Sequence, residues 1–292
     1  MEHRIGGNEV EFIKMHGLGN DFVFLDHYSV SDRDVDYPEL ARKLCHRQFG
    51  IGGDGLAVIL PSNVADARMR IFNPDGSEPE MCGNAIRCFA RYVYDQKIVI
   101  ISDPMLVETG AGILKLNLFI KEGQVQGVQV DMGEPILRAD LIPVLGVGEP
   151  VVGQPIEVLG ETYMYTAVSM GNPHCVIFVE DFSTLDFDRV GPALEKHPLF
   201  PRKTNVEFIQ INSPQEITMK VWERGAGPTL ACGTGACAST VAAILNNKTE
   251  RAVTVHLPGG DLFIEWGPDN HVYMTGPGAY VFKGEWLGTQ LS

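Results

Sequence analysis

Arg70-Ile-Phe-Asn73, with Cys82-Gly83 nine residues beyond it, returns 150 positions later as Lys220-Val-Trp-Glu223, with Cys232-Gly233 at the same spacing. No gap is needed to align them. Moving outward in the same register, the helix-like stretch Pro38 to His46, with Leu40, Ala41 and Leu44 on one face, falls on Asp188 to Lys196. Strand-like Leu56 to Leu60 falls on Val206 to Ile211. A shift of two more residues sets Gly19-Asn20, followed by apolar Phe22 to Leu25, on Gly171-Asn172, followed by Val176 to Val179. Each half reads strand, helix, strand, strand, helix, then hairpins.

Those hairpins are Ile113 to Asp131 and Ala252 to Met274, broken at Glu122-Gly123, Pro258-Gly-Gly260 and Gly267-Pro-Asp-Asn270. Short matches such as Cys-Gly recur by chance in a chain with 32 glycines, but their common order and nearly constant offset favour duplication. Two copies are too few and too large for a solenoid. The pattern predicts an α/β (α+β) fold of two pseudo-symmetric domains, each with a mixed sheet around a central helix. The turn residues Gly133-Glu-Pro135 place the division at 1–133 and 134–277. The last strand-like piece, Ala279 to Lys283, is expected to bring 278–292 back to the first half.

The 292 residues are 45% apolar, enough for a sizeable core or two smaller ones. A net charge of −14 argues against nucleic acid and against anionic membrane as partners, and leaves a small zwitterionic substrate compatible. No segment approaches the ~20 apolar residues that span a bilayer, and Met1 to Val10 is polar, so a cytoplasmic protein is expected. None of the cysteines at 45, 82, 88, 175, 232 and 237 forms a Cys-x-x-Cys pair, and no nearby histidine completes a metal-ligand set. Free thiols without a metal are the expectation.

Most cytosolic cysteines are small buried hydrophobes, a reading that suits Cys45, Cys88, Cys175 and Cys237. Cys82 and Cys232 differ. Each is followed by glycine and opens a helical pattern: Ala85, Ile86, Phe89 and Val93 after the first, and Ala236, Cys237, Ala238, Val241 and Ile244 after the second. A helix N-terminus offers unpaired N–H groups and roughly half a positive charge, which favours thiolate and binds anions. N–H groups around Gly83-Asn84 and Gly233-Thr234 would hold a substrate carboxylate and stabilise charge accumulating on it when the neighbouring C–H is removed. Inverting that carbon without a cofactor requires one base and an acid on the opposite face. Two thiols sharing one proton would supply both.

Further motifs complete the set: Met15-His-Gly-Leu-Gly-Asn-Asp-Phe22, Gly50-Ile-Gly-Gly-Asp-Gly55, Phe72-Asn-Pro-Asp-Gly76, Met81-Cys-Gly-Asn84, Gly171-Asn-Pro-His174, Asn205-Val-Glu207, Glu223-Arg224-Gly225 and Ala231-Cys-Gly-Thr-Gly235. Together, from about Phe12 to the C-terminal strand, they resemble the diaminopimelate epimerase family. The resemblance implies two barrel-like domains with the active site in the cleft between them. It also implies interconversion of LL- and meso-diaminopimelate without cofactor or metal, on the route to lysine and cell wall, by a homodimer. Cys82 and Cys232 match the family's catalytic cysteines. Asn20, Asn73, Asn172 and Asn205 match its substrate-binding amides, and Arg224 the bidentate partner of the distal carboxylate. Glu223 and His174 match polar neighbours that tune the thiols or bind the reacting amino group, while Gly83, Asn84, Gly233 and Thr234 resemble the carboxylate cradle. Gly55 departs from the pattern, standing where some members carry a glutamine that touches substrate.

Several other readings compete. Asn73-Pro-Asp-Gly76 and Asn172-Pro173 are ordinary turn chemistry by themselves. The glycine loop 50–55 lacks the Lys-Ser/Thr of a phosphate loop and reads as a tight turn. A proline or hydroxyproline racemase would share the two thiols but has no use for Arg224. An amino-acid-binding protein would not need the thiols. A thiol oxidoreductase would cycle Cys82 and Cys232 through a disulfide, which in an epimerase would be an inactivating side reaction.

Overall fold

A computed structural model of the chain describes residues 10–28, 35–146 and 148–288. Apart from Val10, the polar N-terminal segment lies outside the described residues. The chain divides into two compact units, one running to Val130 and resuming at Gly276, the other Asp131–Thr275. The division falls slightly before Gly133 because residues just past Val130 already bond within the second unit: Met132 N–H donates to Val272 O at 2.9 Å, and Asp131 meets His271 at 2.8 Å.

The first unit contains β1 (Val10–Gly17), β2 (Asn20–Asp26), α1 (Tyr37–Leu44), β3 (Gly55–Leu60), β4 (Ala67–Phe72), α2 (Gly83–Asp95), β5 (Met105–Thr109), β6 (Gly112–Lys121) and β7 (Gln124–Asp131). The second contains β8 (Gln154–Val158), β9 (Glu161–Ser169), β10 (Pro173–Phe178), α3 (Phe187–Glu195), β11 (Asn205–Ser213), β12 (Glu216–Glu223), β13 (Gly227–Thr229), α4 (Gly233–Leu245), β14 (Ala252–Leu257), β15 (Gly260–Trp266) and β16 (Val272–Gly276). β17 (Ala279–Trp286) then pairs with β1.

Strand pairing repeats between the units. In the first, the order β17-β1-β2-β3-β4-β5-β6-β7 is antiparallel except at β2/β3 and β4/β5. In the second, β8-β9-β10-β11-β12-β14-β15-β16 is antiparallel except at β10/β11 and β12/β14, with β13 added against the end of β12. Parallel neighbours cannot be joined by a tight turn and need a crossover. The four crossovers carry α1, α2, α3 and α4.

α1 and α3 begin one residue earlier than the apolar periodicity indicates. Asp36 caps α1 by accepting from Glu39 N at 3.0 Å, and Pro38 sits in its first turn, where its missing N–H costs nothing. α1 presses Tyr37, Ala41 and Leu44 into a core with Val23, Leu25, Leu56, Val58 and Phe72. The corresponding core of the second unit gathers Tyr165, Ile177, Val190, Leu194, Phe200 and Phe208. Each such large apolar side chain contributes about 1.5–3 kcal/mol when fully buried.

α2 and α4, each of 13 residues, are the central helices. α4 packs against β9, β10, β11, β12, β14 and β15, so strands approach it from most sides. Its sequence Gly-Thr-Gly-Ala-Cys-Ala-Ser-Thr-Val-Ala-Ala permits that closeness because small side chains leave little between helix and sheet. α2 packs on β1, β3, β4 and β6 and keeps a polar flank at Arg91 and Asp95.

Gly278, just before β17, lies so near α2 that a Cβ there would come within 2.8 Å of the Cys88 backbone N and Cα. Helix backbone cannot give way as a side-chain tip can. Gly278→Ala is therefore expected to cost about 2–3 kcal/mol and to lower Tm by roughly 5–10 °C, read by calorimetry against Gly148→Ala, whose Cβ would meet open space.

Candidate active site

Each unit carries one cysteine at the N-cap of its central helix. Cys82 caps α2 with extended backbone (φ −141°, ψ 118°), and Cys232 caps α4 in the same way (φ −122°, ψ 108°). The extended cap conformation aims the side chain across the helix start, where the first N–H groups lack intrahelical partners.

Around Cys82, the two-residue turn Leu18-Gly19, with φ of 56° and 85°, joins β1 to β2 and delivers Asn20. Positive φ at both positions is the type I′ geometry of a tight hairpin, and leucine accepts the strain there. Cys82 Sγ lies 3.9 Å from Asn20 Oδ1, which also accepts from Asn84 Nδ2 at 3.0 Å. Asn84 Oδ1 in turn accepts from Arg87 at 2.9 Å, and the same guanidinium donates to Gly83 O at 2.8 Å and Pro277 O at 3.1 Å. Arg87 is fully buried.

Around Cys232, the surroundings differ. Its Sγ accepts from Gly235 N at 3.3 Å and lies 3.5 Å from Thr234 Oγ1. Burial nonetheless pushes the Cys232 thiol well above its ordinary value, and the carboxylates of Glu223 and Glu207 add to that rise, while the bonds from Thr234 and Gly235 oppose it. The expected lowering by the helix N-terminus thus does not hold at Cys232. Desolvation and two like charges outweigh roughly half a unit of positive charge.

Behind Cys232 lies a buried polar chain. His174, on β10, meets Glu207 Oε1 on β11 at 2.7 Å through Nδ1 and Asn172 Oδ1 at 2.9 Å through Nε2. His174 and Glu207 are both fully buried. A Cβ at Gly235 would fall 2.7 Å from Glu207 Oε1, so the lack of a side chain there lets α4 pass close to this carboxylate. Glu223, at the end of β12, accepts from the Thr229 hydroxyl.

The sequence profile of the family described as diaminopimelate epimerase matches residues 12–137 and 166–281. The chain belongs to the diaminopimelate epimerase family. A relative of that name in Desulfitobacterium hafniense is 71% identical over 284 residues, spanning 97% of this chain and all of the relative. One in Moorella thermoacetica is 59% identical, spanning 94% and 99%. The fold also resembles a hydroxyproline epimerase from Agrobacterium vitis (TM-score 0.69, 15% identity, 97% and 94% of the two chains) and a Bacillus anthracis phenazine biosynthesis protein of the PhzF family (TM-score 0.69, 16% identity, 96% and 99%).

Within this family member, the residues expected to bind substrate occupy different situations. Asn20, Gly83 and Asn84 gather around Cys82, and Gly233, Thr234 and Glu223 around Cys232. Asn73 is exposed and donates its amide to Ser77 Oγ at 2.9 Å inside the turn 73–77, as ordinary turn chemistry would have it. Asn205 is buried and braces backbone at both ends, donating to Pro173 O and accepting from Arg224 N, each at 2.9 Å. The exposed Arg224 side chain donates to Arg202 O at 3.2 Å. At Gly55, a Cβ would come 3.0 Å from Phe72 O, so a larger side chain there would crowd the pairing of β3 with β4.

Two residues of these networks, Glu207 and Arg87, carry no sequence-derived role, and both leave a signal. Glu207 interrupts the apolar strand Val206 to Ile209, and Arg87 stands among Ala85, Ile86 and Phe89 on a helix. A charged residue at a core position points to a buried network. Burial pushes the thiols of Cys45 and Cys88 to about 12, and Cys175 is also raised by burial. Among the described residues no group of His, Cys, Asp and Glu is placed to hold a metal, and none of the six cysteines is joined in a disulfide.

The raised Cys232 thiol has a direct chemical consequence. Iodoacetamide labelling of the Cys232 peptide should be slow at about pH 7 and still climbing at about pH 9, because only thiolate reacts. A plateau below about pH 8 would show that the helix field prevails over burial.

Proposed function

We propose that this chain interconverts LL- and meso-2,6-diaminopimelate by proton exchange at one α-carbon. The observation that carries this reading is the pair of N-cap thiols at corresponding positions of two like-folded units, in a chain of the diaminopimelate epimerase family. One sulfur, as thiolate, takes the α-proton and becomes S–H. The electron pair of the broken C–H bond delocalises into the adjacent carboxylate, and the other thiol delivers its proton to the opposite face and becomes thiolate. Protons and charge balance, and the two sulfurs exchange roles with each turnover. The high thiol of Cys232 suits it to begin as the donor.

The difficult species is the carbanion, because an amino-acid α-proton is weakly acidic. N–H groups at the starts of α2 and α4, around Gly83-Asn84 and Gly233-Thr234, stabilise the charge that gathers on the carboxylate. Asn20, Asn73, Asn172 and Asn205 hold the substrate's amino and carboxylate groups, Arg224 clamps the distal carboxylate, and Glu223 and His174 tune the thiols. The preference for diaminopimelate over a small cyclic amino acid rests on Arg224, since proline has no second charged end. We further propose that the enzyme works in the cytoplasm as a homodimer, without cofactor.

The test is incubation of reduced, metal-free protein with LL-diaminopimelate in D₂O without pyridoxal phosphate, following α-proton exchange and the LL/meso ratio together by NMR. Exchange accompanied by approach to the diastereomer equilibrium is expected. No exchange by folded, reduced protein would overturn the reading, and turnover of proline or hydroxyproline instead would reassign the substrate.

A further inference from the structure

The glycine loop 50–55 is the one sequence motif that the reaction above leaves without a task. Its backbone is tightly wound: Gly50 N–H donates to His46 O at 2.8 Å, Gly52 N–H to Leu44 O at 2.9 Å and Asp54 N–H to Asp21 O at 2.7 Å. Gly52 has φ of 81°, and a Cβ at Gly50 would lie 2.1 Å from Lys43 O. What this winding presents is the carboxylate of Asp54. We propose that Asp54 is a positioning residue that decides which end of the Asn20 amide faces the Cys82 thiol.

Asp54 Oδ2 accepts from Asn20 Nδ2 at 2.7 Å and from Asp21 N at 3.1 Å, while Oδ1 accepts from Arg47 at 2.7 Å. Arg47 also donates to Asp21 at 2.8 Å, and Lys14 ties Asp21 to Gly52 O. Burial alone would raise Asp21, but the bonds from Arg47 and Lys14 bring it down to about 2, so the network keeps its charges. An ionised carboxylate can only accept. Asn20 must therefore turn its NH₂ toward Asp54, which leaves Oδ1 toward Cys82 Sγ and Asn84 Nδ2. Arg87 fixes Asn84 from the other side by donating to its Oδ1. Both amides are thereby held in one orientation by a charge at each end of the chain Asp54, Asn20, Asn84, Arg87.

Amide polarity matters to a sulfur. A carbonyl oxygen beside Sγ suits S–H, which can donate, and disfavours thiolate. The reversed amide would place NH₂ there and favour thiolate. Asp54 thus raises the proton affinity of Cys82 and favours the S–H form that this sulfur takes once it has accepted the α-proton, although the carboxylate does not touch the sulfur. Charged groups that bear on this region come from several elements: Lys14 of β1, Asp21 of β2, Arg47 and Asp54 before β3, and Arg87 of α2.

The inference rests on the proposed role of Cys82 only for its kinetic consequence, so its test needs no substrate. In Asp54→Asn, of nearly equal size, the new amide can donate as well as accept, so Asn20 is held only from the Arg87 end, through Asn84, and reverses part of the time. The pH at which iodoacetamide labels Cys82, read on its peptide by mass spectrometry, should fall by about one unit or more. Loss of the Asp54 charge would shift Cys82 in the same direction, and a double-mutant cycle separates the two causes. In an Asn20→Ala background the Asp54→Asn shift should vanish. An equal shift with and without Asn20, or no shift in either, would overturn the proposal. Failure of the epimerase reading would appear separately, as absent exchange in D₂O with the labelling cycle intact.

Discussion

Cys82→Ala and Cys232→Ala are each expected to lower epimerisation by about 10²- to 10⁴-fold, the range over which a positioned acid or base acts in proton transfer. Folding should be little affected by the first change, because Cys82 is only partly buried and makes no side-chain cap bond to α2. Cys232→Ala removes the sulfur that accepts from Gly235 N, so a modest loss of stability, about 1 kcal/mol, should accompany the kinetic loss. The two variants also differ in what survives. If Cys232 begins as donor, Cys82 begins as base, and Cys232→Ala can still abstract from the isomer whose α-proton faces Cys82 and return a proton to the same face. That protein should exchange α-hydrogen with D₂O faster than it inverts the centre, an imbalance NMR reads directly. Wild-type inversion rates in either variant would rule out a two-thiol mechanism.

Arg87→Ala is expected to be the most destabilising single change near the site. The guanidinium is fully buried and donates to Asn84 Oδ1, Gly83 O and Pro277 O. Asn84 Oδ1, left buried without its donor, costs about 1–3 kcal/mol, the part-buried Gly83 O and Pro277 O lose less, and with the lost packing of a fully buried side chain a total of about 3–5 kcal/mol is expected. Tm should fall by roughly 10 °C or more. Lysine at this position offers one nitrogen rather than a planar fork and cannot reach all three acceptors, so Arg87→Lys should recover less than half of the loss. Since Pro277 lies on the segment leading to β17, early loss of protection at β17 amides in hydrogen exchange would mark the same defect. Unchanged stability in Arg87→Ala would mean that water replaces the fork without cost.

Much of this was open to reading in one dimension. Duplication leaves a trace wherever local chemistry repeats: apolar periodicity placed α1 and α3, the Glu122-Gly123 pair placed the β6/β7 turn, and the Cys-Gly register marked the starts of α2 and α4. These are short-range properties, set by side-chain spacing and by which residues accept positive φ. The family of the chain was equally legible, because its motifs lie in order along nearly the whole sequence.

What sequence could not decide was the environment of each thiol. Cys82 and Cys232 look alike along the chain: an N-cap, a glycine, a helix. In space, Cys82 faces an asparagine oxygen whose orientation is set from Asp54, and Cys232 lies buried near Glu223 and Glu207. Desolvation and charge act through space, and the groups responsible arrive from strands 62, 9 and 25 residues away in the chain. A helix start is written locally, but the proton affinity of the sulfur that caps it belongs to the packed tertiary structure.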